Sequence, residues 1–383
     1  MAAKLKPIRR VVTGNDVRGR SCVLWDGPAP NVNPGAVSAG AGMTDVWVFG
    51  RCPAIVTGER DDGNLPFNFE PPEHGGHLRI VQSRGRSPDY DPAKDPRTVA
   101  VHEPRQRPGG TWDRGGQNAY SSPIHKSATV DYGILLEGER VLRLDDGERV
   151  MHPGDVVVQL GNWHGWTNPR QGSSMAFVMM GATFGDVDAA PDPPAGQPVK
   201  MPDGVRPVRR IVTIDNENGR SRAIQDGPCP DVRIDPARPG FSSTRIWVTD
   251  RMPARIHGVR ETLHMPHALE PPRGGSVCRI VTLPPDASFH GHVGAREVQE
   301  HFRTMGSPGA STYSTNVPHP YMQKTQTLDL CLVLEGEITL MLDTAEVPLK
   351  RGDTVIQRAT NHAWSNVSSA PAVIAISSHD ARA

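Results

Sequence analysis

Ile338, Leu340 and Leu342 interleave with Glu337, Thr339 and Met341, a period of two that predicts a strand with one face turned to a core. Val156-Val157-Val158, a short β-branched run, follows the turn residues Pro153-Gly154-Asp155 and reads as another strand. Asp145-Asp146-Gly147 supplies turn chemistry between two such segments, and 39 Gly and 37 Pro break the chain in many other places. Helical periodicity is scarce. Its best candidate is Arg296 to Met305, REVQEHFRTM, with no counterpart in the Arg- and Gly-rich stretch from Arg84 to Gly116, where a lid or loop is expected. Many short strands with hardly any helix between them predict an antiparallel sandwich or barrel rather than a parallel doubly wound sheet.

The pattern occurs twice. RRVVTGNDVRGRSCVLWDGP from Arg9 returns as RRIVTIDNENGRSRAIQDGP from Arg209; DYGILLEGE from Asp131 returns as DLCLVLEGE from Asp329; NWHGWTN from Asn162 is echoed by TNHAWSN from Thr360. A nearly constant offset over separated blocks means two tandem copies of one unit. The copies are placed at 8–183 and 208–382, with 184–207 as an extended linker rich in Pro, Asp, Ala and Gly.

Charge narrows the function classes. Forty-two Lys and Arg balance 42 Asp and Glu, and aromatics make up 5%. No broad positive field and few stacking rings argue against nucleic acid or an anionic membrane as partner. Five scattered cysteines without a Cys-x-x-Cys pair suit a reducing compartment. With no apolar leader at the amino terminus, the expected location is the cytoplasm.

Around LEGE the residues resemble the cupin superfamily, whose motifs are G-x(5)-H-x-H-x(3,4)-E-x(6)-G and G-x(5)-P-x-G-x(2)-H-x(3)-N. Gly138 matches the closing glycine of the first motif, Asp131 stands at its acidic position, His125 at a histidine position, and Ser127 where a second histidine is usual. Gly154, His164 and Asn168 match the second motif, one residue shorter and with Leu160 and Asn162 in place of Pro and Gly. The whole chain resembles a bicupin. The resemblance implies an all-β fold of two tandem jelly-roll-like cupin barrels with little helix. It also implies a divalent metal, Fe(II) favoured over Mn or Zn, held by His125, Asp131 and His164, which would then be the catalytic set. The second copy keeps weaker equivalents, Gln323, Asp329 and His362, with Thr325 in the remaining place. This asymmetry resembles bicupin ring-cleaving dioxygenases in which one barrel is degenerate.

Two imidazoles and one carboxylate form a set that leaves coordination positions open, as in non-haem iron sites. The expected activity is a non-haem oxygenase acting on an aromatic, enol or 1,3-dicarbonyl compound. A metal-dependent lyase, isomerase or decarboxylase, and a non-catalytic small-molecule binder, are the alternatives. Ser127, Tyr132, Gln159, Trp163 and Trp166 are the candidate substrate-binding residues, although core packing is the plainer reading of each ring taken singly, and a structural hydrogen bond that of Gln159. The plain reading of the metal set is a loop histidine, a strand-edge carboxylate and a hydrogen-bonded core histidine. His290-Gly291-His292 reads as an exposed loop, and Glu137 and Glu335 as solvent-facing strand ends. A small molecule is the expected partner, and a homo-oligomer is compatible with the sequence.

Overall fold

The computed structural model describes residues 5–35, 41–168, 170–185, 201–256 and 262–382. Most of the expected linker, 186–200, lies outside them. Two large sheets dominate, each extended by strands from both copies. In one, the order is Ser221–Pro228, Arg209–Asp215, Val156–Leu160, Thr129–Glu137, Ser173–Phe184, Gly76–Ser83, Gly42–Phe49, Asn31–Pro34. The other repeats that order with the equivalent strands of the opposite copy, so that Arg9–Asn15 and Ser21–Pro28 close it.

The first hairpin of each copy therefore belongs to the sheet of the other. Val11 pairs in parallel with Val355, and Ile211 in parallel with Val157. The tandem units legible in the sequence are thus exchanged in space: residues 9–28 complete the second barrel and 209–228 the first. Arg209 anchors its hairpin to the recipient copy, with its guanidinium on Asp226 of its own hairpin and on Asp155 across the junction.

Both faces of the central strands of each large sheet are buried. Val130, Tyr132, Ile134, Val156 and Val158 pack with Leu328, Leu330, Leu332 and Ile356 in a core shared by the two copies. The opposite face of the first sheet lines its own barrel, where Leu135, Val157, Met175 and Phe177 meet Leu142 and Trp166 of the small sheet Arg140–Leu144, Gly147–Met151 and Gly165–Thr167. Two buried faces explain why Val156–Leu160 is an unbroken apolar run apart from Gln159. The hairpin at Asp145-Asp146-Gly147 and the strand Glu337–Leu342 match the sequence expectation.

The barrels differ inside. The helix Ala295–Thr304 buries Val298, His301 and Phe302 in the second barrel, leaving a cavity of about 60 Å³. The first copy has no α-helix here; its 84–116 stretch runs largely as loop with a single 3-10 turn at Pro92–Lys94, and Trp112–Asp113 pairs against His125–Lys126. Among the described residues no disulfide joins the cysteines, and no helix is long and apolar enough to cross a membrane.

Because each copy lends two strands to the other, cutting the connection between residues 185 and 201 should leave two fragments that co-elute as a 1:1 complex in size-exclusion chromatography. Fragments that separate as two folded monomers would contradict the exchange. Leu330→Ala, which hollows the shared core, should lower stability by about 2–5 kcal/mol in chemical denaturation.

Candidate metal and substrate site in the first barrel

The short strand His125–Lys126 and the start of Gly165–Thr167 meet through reciprocal backbone bonds, His125 N–H to His164 O at 2.8 Å and His164 N–H to His125 O at 2.9 Å. This places the two imidazoles side by side, with ring centroids 4.3 Å apart. The turn before His164 needs a left-handed residue, and Gly161 supplies it at φ +54°. The second copy keeps the same turn with Ala359 at φ 51°, so the backbone device outlasted the glycine.

Each ring is fixed by its own chain. Nδ1–H of His125 donates to Pro123 O at 2.8 Å, and Nδ1–H of His164 to Asn162 O at 3.0 Å. With Nδ1 protonated by that pairing, Nε2 of each ring carries a lone pair, the arrangement second-shell partners give to metal-binding histidines. Burial lowers the pKa of both, that of His164 well below its ordinary value with His125 as a further cause, and both are neutral at pH 7.

Asp131 stands on the barrel face of Thr129–Glu137, in register with Gln159 on one side and Met179 on the other. Ser127, Thr129 and Asp131 share that face: Ser127 Oγ and Thr129 Oγ1 are 3.1 Å apart, and the Thr129 hydroxyl bonds the carboxyl. Oδ1 of Asp131 is buried without a partner. Burial pushes its pKa up to about 8, with Glu70 adding repulsion. Glu70 is itself raised to about 7 by burial despite Arg79, and its Oε1 is likewise unpartnered. Arg79 does not neutralise the pair, because its guanidinium is taken by Asp45, Asn68 O and Phe69 O. His77, in register with Met179, adds a buried unpartnered Nε2, and Gln159 leaves both ends of its amide unbonded.

The structure thus brings the two histidines together and turns Asp131 toward the same interior. The three do not, however, draw one ligand atom each within 4.8 Å of one another; the group that does so among the described residues is Asp286, His290 and His319 in the second barrel. There the Tyr321 N–H donates to Nδ1 of His319, which places that ring's proton on Nε2, 3.5 Å from an Asp286 oxygen. Asp286 also accepts from Ser365 and from the Asn366 N–H. His319 Nε2 is nevertheless buried without a hydrogen-bond partner; His290 is exposed at the edge of the cluster and His292 lies exposed beside it, as the loop reading expects.

Two substrate-binding expectations are corrected. Tyr132 points to the opposite face from Asp131, as neighbours on a strand must, and its hydroxyl lies 3.0 Å from Ser276 Oγ of the other copy. Trp163, likewise alternate to His164, is flanked by Arg114 and Lys126 at 4.9 and 5.5 Å, away from the imidazole pair. Trp166 does face inward, 6.0 Å from His164, and Ser127 and Gln159 share the inner face. Glu137 and Glu335 are surface ion-pair partners of Lys6 and Arg206.

The second barrel has closed the equivalent place. Gln323 stands where His125 stands and lies 3.2 Å from His362 Nε2, whose Nδ1 faces Thr360 O. The Gln323 amide thus donates to the lone pair that His164 leaves open. Asp329 is compensated by the field of buried Arg279, and Thr325 bonds Thr327. His77 and Glu70 escaped the motif comparison, although Val277 at the His77 position and the repeated Glu-Pro-Pro at Glu70 and Glu270 were visible in the repeat.

No family model matches the chain. Among curated proteins, Oryzines biosynthesis cluster protein J of Aspergillus oryzae is 31% identical over 135 residues, 30% of this chain and 74% of that protein. Cupin-domain-containing oxidoreductase virC of Hypocrea virens is 52% identical over 60 residues, 15% of this chain. The chain belongs to the cupin superfamily. The cupin chain spans only part of its first relatives: 31% of virC, and 65% of phomopsin biosynthesis cluster protein C′ of Diaporthe leptostromiformis, to which it is 33% identical over 136 residues. A cupin 2 conserved barrel domain protein from Leptotrichia buccalis overlays 90% of this chain and 90% of its own at a TM-score of 0.35 and 7% identity, too loosely for residue roles to be carried across.

A buried carboxyl whose folded pKa is raised contributes stability below its unfolded pKa that is lost as pH climbs through the folded value. For Asp131 that window runs from about 4 to about 8. In chelator-treated protein, Asp131→Asn should therefore raise the melting temperature more at pH 8 than at pH 5; an equal change at both values would show that the carboxyl is not held protonated.

Proposed function

We propose that the first barrel is the working site of a cupin oxidoreductase for a small molecule, with His125 and His164 as the core of a divalent-cation site and Asp131 as its carboxylate. The observation that carries this reading is the contrast between the copies: two neutral imidazoles present open Nε2 lone pairs to the interior that Asp131 faces, with no cationic side chain acting on that carboxyl, whereas in the second barrel the Gln323 amide caps His362 Nε2 and the field of Arg279 acts on Asp329, whose Oδ1 is likewise unpartnered. The donor set suits iron, manganese or zinc, and a cation would supply the charge that Asp131 and Glu70 lack. The oxidoreductase named among the relatives supports the reaction class.

The residues define what the chain itself contributes. A bound cation supplies Lewis-acid polarisation of substrate oxygens and, for Fe(II), electron transfer to dioxygen. Gln159, with a free donor and a free acceptor beside Asp131, orients an oxygenated substrate such as an enol, phenol or 1,3-dicarbonyl. Trp166 and Phe69, the latter 6.3 Å from the His125 ring, wall the imidazoles from water. Glu70, raised to about 7 by burial and with its Oε1 unpartnered, can hold a proton near neutral pH and pass it to a substrate oxygen, while Asp131 is committed to the cation. That value also favours a second reading, a metal-dependent isomerase or decarboxylase working by proton transfer.

Untagged protein should carry about one divalent metal per chain by elemental analysis. His125→Ala and His164→Ala should abolish it, and His362→Ala should leave it unchanged. Metal that survives His164→Ala but disappears in His290→Ala would move the cation to the second barrel and overturn the reading. Oxygen uptake with enol or phenol substrates separates the two reactions, since turnover indifferent to dioxygen selects the proton-transfer enzyme.

A further inference from the structure

Arg140 opens the small sheet of the first barrel and is only 3% exposed, yet it has no carboxylate partner among the described residues. Its Nε and Nη1 are buried without hydrogen bonds, and its guanidinium lies over Trp166 at 5.1 Å and Phe177 at 5.9 Å. Burial alone lowers its pKa, to about 10, so it remains charged. A buried cation held only by two ring faces is costly to keep. The duplication shows that the fold does not demand it: the equivalent residue is Ile338, packed in the apolar interior of the second barrel.

The guanidinium borders a pocket of about 20 Å³, shared with Arg84, Tyr120, Ser122, Trp166 and Asn168, and no acidic residue lines it. Arg84 lies over Tyr120 at 5.1 Å and brings a second positive charge to the mouth. Asn168 is 6% exposed; its Oδ1 is occupied by the Ser173 hydroxyl, which leaves the amide donors without a partner among the described residues. Its counterpart Asn366 spends both donors on Leu283 O and Ala370 O. The first copy thus keeps free, at one place, the donors that the second copy has satisfied or replaced.

We infer that this pocket is a carboxylate-binding subsite, with Arg140 as the buried anchor, Asn168 as a neutral donor and Arg84 as the charge at the entrance. A carboxylate fits because it is planar and carries one charge, matching one guanidinium between two rings; a phosphate is bulkier and needs more donors. Arg140 lies within electrostatic reach of both His125 and His164. Resting on the first-barrel reading above, the subsite narrows the substrate class to small organic acids whose carboxylate is held here while an oxygenated group faces the imidazoles.

The test is calorimetric titration of full-length, metal-free protein at pH 7 with benzoate, benzyl alcohol and inorganic phosphate. Benzoate should bind saturably, benzyl alcohol and phosphate should not, and Arg140→Met should weaken benzoate at least tenfold. Arg140→Met should also melt no lower than the parent protein without ligand, since it removes an uncompensated buried charge. Absence of saturable benzoate binding, unchanged affinity in Arg140→Met, equal binding of phosphate, or a marked loss of stability in the variant would each overturn the proposal. With no metal in the assay, failure of the cation site leaves this result untouched.

Discussion

Parallel pairing of each copy's first strand with the other copy's sheet is the constraint from which the rest follows. Val11 on Val355 and Ile211 on Val157 join segments far apart in the chain. They place the outer faces of both large sheets against one another in a single apolar core. Neither barrel has a free outer sheet face, so a polar side chain on these strands is either satisfied inside its barrel or left unsatisfied in a low-dielectric interior, where that is expensive.

That constraint gives the differences between the barrels their meaning. The second interior is packed with Phe289, Phe302, Met305 and Ile338; there Gln323 caps His362 and Arg279 offsets the charge of Asp329, although Asp329 Oδ1 and Arg279 Nε are themselves unpartnered. The first keeps the same backbone, down to the left-handed turn at Gly161, but carries unpartnered atoms on Asp131, Glu70, His77, Gln159 and Arg140. Buried polar atoms without partners are uncommon in folded proteins and concentrate where a ligand or ion completes them. Both signs occur here: carboxyls that want a cation lie near the imidazole pair, and a guanidinium that wants an anion lies beyond Trp166. A substrate with a carboxylate at one end and an oxygen donor at the other would satisfy both.

How far the site could be read in advance depended on the kind of signal. The His125 and His164 pair was legible from motif spacing, with only His164 repeated in the second copy as His362, and Ser127, Gln159 and Trp166 lie on the inner face. Tyr132 was misplaced because a strand buried on both faces gives no hydropathy contrast to tell inside from outside; Trp163 lies in the turn before His164, where only its alternation with that histidine carried the information. Arg140 looked like an ordinary polar strand residue, and nothing local revealed that the chain would close over it.

The amino-acid sequence by itself determined the duplication, the all-β class and the turns, because these rest on local periodicity and on text repeated at fixed spacing. Tertiary structure alone decided that the copies exchange hairpins, that a helix fills one barrel and not the other, and that Asp131 and Arg140 are left without counter-charges. The reason is that charge compensation and sheet order depend on which distant segments become neighbours, and no single stretch of chain encodes its partner across 340 residues.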